Sequence, residues 1–319
     1  MAQAQPNKST NVRNSNWQLG AIRAGLRVVG PTAPRLAARW IEPLFFRVPH
    51  FPRPAWEVSV LERASAKYIV PSQGKNLPVW TWGEGPVVLL VHGWAGRGSQ
   101  LGAFVEPLVE AGFRVATFDG PGHGENTERS CSIPELATAI TDVARSLGAL
   151  HGIVAHSMGA ASSLLAASRG LEVDRLTLVS PPASPTRFAH EFASKLGLSA
   201  SVKEALKDRV EARLRVSFAQ LESHAIVPRV HAPLLIIHDE TDRDVPIDDG
   251  RRIAELAQRA RLVTTQGLGH RKILRDPSVI QQTVGFLKKE ARVPGKPTSS
   301  PRWTVSPLDA VPPTLSALL

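Results

Sequence analysis

The segment from Gly152 to Ala160 limits the possible folds more than any other part of the chain. Its residues are Gly-Ile-Val-Ala-His-Ser-Met-Gly-Ala, an apolar run that ends at Ser157 between small residues. A helix-compatible run, residues 160–168, follows directly. An apolar strand that turns sharply into a helix exposes such a serine at the edge of a sheet. The segment therefore predicts an α/β protein with Ser157 as a candidate nucleophile.

The residues next to Ser157 do not decide its role alone. Turns of this kind usually carry glycine two residues before and two after the serine, because little space remains there for side chains. Gly159 satisfies the second position, whereas Ala155 occupies the first and adds one methyl group. We treat that methyl group as tolerated. A serine that only caps a helix would give a similar pattern, so other motifs must decide.

Short β-rich runs alternate with helical segments from about residue 66 onward, as in a sheet with crossover helices. Most runs are continuously apolar, which is expected for strands covered on both faces. The first two should form a hairpin. The predicted strands are Ala66–Val70, Val79–Trp82, Val87–Val91, Arg114–Phe118, Gly152–Ala155, Leu176–Val179, Leu234–Ile237 and Leu262–Thr265.

Changes in composition predict the domain boundaries. Residues 1–16 are polar and expected to be disordered, and residues 293–319, rich in Pro, Ser and Thr, are expected to form a flexible tail. The catalytic core should comprise residues 61–183 and 229–292. Residues 184–228 are mostly helical and charged, so we expect a lid inserted after the sixth strand. Four apolar residues of this segment either line a site or form its own core: Phe188, Phe192, Leu196 and Phe218.

Residues 17–60 are predicted to form an N-terminal helical arm with a strong positive charge. Apolar residues recur at helical spacing on both sides of Pro31 and Pro34, with arginines between them. The first 41 residues contain no Asp or Glu, but they contain Lys8, Arg13, Arg23, Arg27, Arg35 and Arg39. Residues 17–46 could therefore contact an anionic membrane peripherally, or the arm could pack on the domain. Both alternatives stay open.

Charge and cysteine content restrict the class of protein further. The net charge of +10 alone would permit nucleic-acid binding, but no nucleic-acid-binding motif accompanies it, so we expect no such partner. Cys131 is the only cysteine, which excludes an intrachain disulfide and favours a reducing compartment. No apolar run approaches the roughly 20 residues of a membrane span. We expect a cytoplasmic protein, and the sequence does not indicate its oligomeric state.

Four motifs in chain order resemble those of the α/β-hydrolase superfamily, and the similarity covers about residues 66–290. The resemblance is to bacterial serine hydrolases of esterase or lipase type. It implies an α/β-hydrolase fold, with a mostly parallel sheet of about eight strands and helices on both faces. Besides the Ser157 segment, the four motifs are His92-Gly93-Trp94, Asp119-Gly-Pro-Gly-His123-Gly124, the apolar strand and acidic loop from Leu234 to Pro246, and Gly267-Leu-Gly-His270.

The resemblance also assigns roles to these residues. Ser157 would be the nucleophile and His270 the general base, and the chain order Ser, Asp, His agrees with this fold. The backbone N–H groups of Trp94 and Met158 would form the oxyanion hole. The motif residues that support them are His92, Gly93 and Gly159. Asp119 and His123 are expected to be structural.

The resemblance places the third member of a catalytic triad, the acid that orients His270, in the loop after the predicted strand Leu234–Ile237. Relatives place it in an Asp-x-x-Val-Pro context, and only Asp242 has Val245 and Pro246 at that spacing. Asp239 and Asp244 do not, and we expect both to be surface charges. The alternative position after Val179 offers Ser-Pro-Pro and hence no carboxylate.

These residues predict hydrolysis of a carboxylic ester or thioester without a metal or an organic cofactor. A serine hydroxyl is a weak nucleophile, so a base must accept its proton during the attack. The partner would be a small-molecule ester or acyl substrate that the sequence does not identify. The alternative is a ligand-binding or signalling protein of this fold with little turnover.

Overall fold

Eight strands form a single sheet in the computed structural model, which describes residue 20 and residues 22–288. The order in the sheet is β1-β2-β4-β3-β5-β6-β7-β8. The strands β1 and β2 pair antiparallel, as do β2 and β4, and all other pairs are parallel. The strands are β1 Ala66–Ser72, β2 Lys75–Trp82, β3 Val87–Val91, β4 Arg114–Phe118, β5 Leu150–His156, β6 Val173–Val179, β7 Leu234–Asp239 and β8 Ala260–Thr265. The predicted mostly parallel sheet of about eight strands is confirmed.

Helices surround this sheet and connect its parallel strands. Residues 22–29 are helical and are labelled α1. The others are α2 Pro34–Phe45, α3 Ala55–Glu62, α4 Val105–Glu110, α5 Ile133–Leu147, α6 Met158–Ser168, α7 Pro185–Leu196, α8 Ala200–Leu214, α9 Phe218–Leu221, α10 Ser223–Ile226, α11 Ile247–Leu256, α12 Gly269–Lys272 and α13 Pro277–Leu287. Three short 3-10 helices complete the described chain: Gly98–Phe104, Val227–Arg229 and Ile273–Arg275. None of these described helices has the length and apolar character needed to cross a membrane.

The core has two apolar clusters, and β3 contributes to both. Leu89 and Val91 belong to one cluster with residues of α5 and α6, whereas Val88 and Leu90 belong to the other with residues of α4 and α13. Successive side chains of a strand point to opposite faces. The continuously apolar sequence of β3 is therefore explained by burial on both faces, as the sequence predicted.

A third apolar cluster, here called the arm–insert cluster, joins the N-terminal helices to residues 184–228, here called the insert. Its buried members are Leu26, Ala37, Ala38, Ile41, Phe46, Ala193, Leu196, Leu198, Val202, Leu206, Val210 and Phe218. Glu42 adds ionic contacts, because it pairs with Arg209 and lies 3.6 Å from Nη1 of Arg213. The Arg213 guanidinium also lies 4.0 Å from the centre of the Phe46 ring. The inward side of the arm thus packs on the insert.

The predictions for the two ends of the chain concern residues outside the described range. Residues 1–16 and 293–319 lie there, as does part of the predicted arm before residue 22.

Candidate active site

Ser157 occupies a strained turn between β5 and α6. Its backbone has φ 53° and ψ −124°, and a non-glycine residue with positive φ is held there only by its surroundings. A Cβ atom on Gly93 would lie 2.9 Å from the Cβ of Ser157, and one on Gly159 would overlap the carbonyl oxygen of His92. These two positions therefore have room only for glycine. The methyl group of Ala155, by contrast, is accommodated in the buried core.

His270 and Asp242 are brought together by the loops after β8 and β7. Nδ1 of His270 lies 2.8 Å from Oδ2 of Asp242. The other oxygen of Asp242 accepts hydrogen bonds from the backbone amides of Asp244 and Val245, both at 2.9 Å. Burial acts to raise the pKa of Asp242, but the hydrogen bonds from His270 and from these amides outweigh it and lower the pKa to about 2. An ionised carboxylate at this position favours a proton on Nδ1 of His270, which would leave Nε2 available as a base.

Asp239 is not a surface charge, and that prediction was wrong. It is fully buried, and four donors surround its carboxylate. Thr241 donates its backbone N–H and its hydroxyl at 2.9 and 2.6 Å, Thr265 its hydroxyl at 2.8 Å, and Leu268 its backbone N–H at 3.0 Å. Burial acts to raise the pKa of Asp239, but these hydrogen bonds outweigh it and lower the pKa. Asp239 thus ties the Asp242 loop to the His270 loop, whereas Asp244 is exposed as predicted.

Ser157 and His270 line one cavity of about 390 Å³. No hydrogen bond joins their side chains in the described structure. Such contacts often form only when substrate is bound. Trp94 and Met158 line the same cavity, and within the described residues neither backbone amide donates to a protein acceptor. An oxyanion hole would need two such donors without a protein acceptor beside the nucleophile.

Apolar residues of both the arm and the insert line the cavity, together with Glu191 and Lys195 of the insert. Of the four insert residues singled out in the sequence, Phe188 and Phe218 line the cavity. Phe192, Leu196 and Phe218 belong to the arm–insert cluster, so Phe218 satisfies both alternatives. No sequence pattern indicated that the arm reaches the site. Further apolar residues of the cavity wall are Phe45, Phe46, Leu214 and Leu221.

Two buried histidines hold the loops of the site in place. Nε2 of His156 lies 2.9 Å from the carbonyl oxygen of His270, and the two rings are 4.6 Å apart. His92 contacts the carbonyl oxygen of Gly93 through Nδ1 at 2.8 Å and accepts the amide of Gly120 through Nε2 at 2.9 Å. Burial lowers the pKa of His156 to about 3 and that of His92 to about 4. Both stay neutral, and His156 was not singled out in the sequence.

Asp119 and His123 lie in the neighbouring loop after β4. Asp119 accepts the amides of Gly98 and Glu125, each at 2.8 Å, and it pairs with Arg53. His123 is buried, and Nδ1 lies 2.7 Å from the carbonyl oxygen of Pro121. These contacts bind loops to one another and leave both side chains outside the cavity lining. The positions of Asp119 and His123 are therefore compatible with the structural role expected from the sequence.

Known proteins share this architecture. A family model described as "alpha/beta hydrolase fold" matches residues 86–198. A lysophosphatidylserine lipase, ABHD12 of Danio rerio, is 25% identical over 85% of this chain and 82% of its own length. The bifunctional esterase/perhydrolase DCH of Acinetobacter calcoaceticus is 22% identical over 64% of this chain and 92% of its own length.

Solved structures agree on the fold. A bacterial membrane phospholipase A has a TM-score of 0.55 at 20% identity and covers 87% of this chain and 98% of its own. The esterase EaEST of Exiguobacterium antarcticum has a TM-score of 0.56 at 17% identity, and the match covers 70% of this chain and 100% of the esterase chain. The fold is the α/β-hydrolase fold. The chain is therefore similar to lipases and esterases of this fold.

Proposed function

We propose that this protein is a serine hydrolase that cleaves a carboxylic ester or thioester through an acyl-enzyme on Ser157. The observation that carries the proposal is the 2.8 Å contact between His270 and Asp242 at the cavity that Ser157 also lines. The names of the relatives, which include a lipase and an esterase, support ester hydrolysis in general.

In this mechanism the hydroxyl of Ser157 attacks the carbonyl carbon while Nε2 of His270 takes its proton. Asp242 stabilises the imidazolium that forms. The amides of Trp94 and Met158 hold the oxyanion, and each donor contributes about 3 kcal/mol to the transition state. His270 then returns the proton to the leaving alcohol or thiol. A water molecule, activated by the same histidine, releases the acyl group from Ser157.

The cavity wall favours an apolar acyl group. The ring of Phe45 lies 5.9 Å from that of Phe188 and 6.5 Å from that of Phe218, measured between centroids. These three aromatic side chains present carbon surface to the space beside Ser157, and burial of an alkyl chain against carbon is favourable. We propose that the acyl chain of the substrate lies along this wall, with the insert acting as a lid.

Labelling with a fluorophosphonate probe tests the nucleophile. The wild-type protein should be labelled and the Ser157→Ala variant should not, whereas Ser168→Ala, at the far end of α6, should be labelled like the wild type. Equal labelling of wild type and Ser157→Ala would rule out Ser157 as the nucleophile.

Turnover separates the proposal from the alternative of a binding or signalling protein. A series of p-nitrophenyl esters from acetate to palmitate should show multiple turnovers per protein molecule. Labelling of Ser157 without turnover of any ester in the series would favour the alternative.

A further inference from the structure

Helix α2 has two faces of different character. Ala37, Ala38 and Ile41 on the inward face are buried in the arm–insert cluster. On the outward face Leu36 is 43% exposed and Trp40, one turn later, is 56% exposed. Residues four apart lie on the same side of a helix, so these two side chains form one apolar strip that faces away from the protein.

Unpaired arginines flank this strip. Arg35 and Arg39 of α2 are exposed, as is Arg27 of α1, and none of them has a hydrogen-bond or ion-pair partner among the described residues. Val28, beside Arg27, is 75% exposed. No acidic residue occurs from residue 22 to residue 41, and Glu42 is buried against Arg209. The surface therefore combines positive charge and large apolar side chains without a neutralising carboxylate.

We propose that the outward face of α2, formed by Arg35, Leu36, Arg39 and Trp40 and here called the basic face, docks on an anionic phospholipid bilayer, with the exposed Arg27 and Val28 of α1 as further contacts. The arginines would bind the lipid phosphates, while the tryptophan ring and the aliphatic side chains would enter the boundary between headgroups and acyl chains. A nucleic acid would satisfy the arginines but would leave Val28, Leu36 and Trp40 without an apolar environment. Charge and exposed carbon surface together therefore favour a bilayer.

Docking through the basic face would bring the cavity close to the bilayer. Helix α2 ends at Phe45, and Phe45 and Phe46 both line the cavity. The Phe45 ring contacts that of Phe188, which also lines the cavity and is 49% exposed. Membrane binding itself does not depend on the proposed hydrolysis, so the two can fail separately.

Co-sedimentation of the full-length chain with vesicles tests the docking. The wild type should sediment with vesicles of phosphatidylcholine and phosphatidylglycerol, but not with phosphatidylcholine alone. The double variant Arg35→Gln/Arg39→Gln should bind about 30-fold more weakly, because each arginine near an anionic surface contributes a factor of about five. A matched double variant, Arg251→Gln/Arg252→Gln on the exposed side of α11, should bind like the wild type.

A second pair of variants tests the apolar part of the basic face. Trp40→Gln should weaken vesicle binding even at high salt, whereas Ile69→Gln, which alters another exposed apolar residue on β1, should not. All variants should keep the wild-type melting temperature. The proposal is overturned if the wild type does not prefer anionic vesicles, if the α11 double variant loses as much binding as the α2 variant, or if the protein binds duplex DNA but not the vesicles.

Discussion

Nδ1 of His270 lies 2.8 Å from Oδ2 of Asp242, and the two residues are 28 positions apart in the chain. The loop that carries Asp242 also carries Asp239 and Asp244, yet the three carboxylates have different surroundings. Asp239 is enclosed by donors, Asp244 is exposed, and only Asp242 contacts the histidine. The contact therefore distinguishes one acid from its two neighbours.

Replacement of Asp242 by Asn should lower kcat/KM by about 10⁴, because an amide cannot hold the histidine in the reactive tautomer or stabilise its positive form. Asp244→Asn should change kcat/KM less than about tenfold, since Asp244 lines the cavity but its side chain is exposed and does not pair with His270. Hydrolysis of a p-nitrophenyl ester gives both values, and near-ultraviolet circular dichroism checks that the fold is kept. Equal losses in the two variants would contradict the assignment of Asp242.

The two small residues around Ser157 should respond differently to exchange. Gly159→Ala places a methyl group against the His92 carbonyl oxygen, so we expect a loss of about 1–3 kcal/mol in the free energy of unfolding and slower probe labelling. Ala155→Gly removes a methyl group from β5 and should cost only about 1 kcal/mol while labelling continues. Urea denaturation and labelling kinetics measure the two effects. If Gly159→Ala behaved like Ala155→Gly, the turn would have more space than the structure shows.

Phe45→Ala should shift the preference for acyl-chain length toward longer chains, because the side chain forms part of the cavity wall. The ratio of kcat/KM for a long and a short p-nitrophenyl ester measures this preference. Phe192 is a matched control, since its ring lies 5.2 Å from that of Phe45 but does not line the cavity. Phe192→Ala should reduce stability without changing the ratio. An unchanged ratio in Phe45→Ala would place the acyl chain elsewhere.

Acidification should destabilise the fold between about pH 6.5 and pH 3. Burial lowers the pKa of His92 to about 4, and burial together with the neighbouring His92 lowers that of His123 to about 3. The unfolded chain binds protons below about pH 6.5, whereas these histidines stay neutral in the folded protein, so stability is full above that pH and decreases as the pH falls. Each such histidine contributes a slope of up to about 1.4 kcal/mol per pH unit.

Urea denaturation at several pH values tests this dependence. His123→Gln should reduce the dependence of the free energy of unfolding on pH by the contribution of one histidine, which is up to about 1.4 kcal/mol per pH unit. A variant with the wild-type slope would show that His123 gains its proton in the folded protein as readily as in the unfolded chain.

The central strands were predictable because burial on both faces leaves a continuous apolar signal. The bounds of β3 and β4 agree with the prediction for this reason. In contrast, β5 and β6 begin earlier than predicted. His151 and Asp174 lie at the starts of these two strands, and their side chains are 3.2 Å apart. Polar residues that hydrogen-bond to each other at the ends of adjacent strands interrupt the apolar pattern, although the strands continue through them.

In the candidate site, the residues in glycine-rich turns were predictable and those that act between distant segments were not. Ser157 and His270 lie in turns whose geometry demands small neighbours. The roles of His156 and Asp239 arise only when loops meet, as in the contact of His156 with a carbonyl oxygen 114 residues away. No local pattern encodes such a meeting, and the same holds for the arrival of Phe45 at the cavity.

The arm–insert cluster makes two distant stretches of sequence dependent on each other. The insert interrupts the core between β6 and β7, but part of its apolar surface is covered by helices that precede β1. An exchange of residues 184–228 with those of a relative would leave Ala37 and Ile41 facing side chains of the wrong shape. During divergence the two stretches must therefore change as a pair. A chimera that inherits both should fold better than one that inherits either alone.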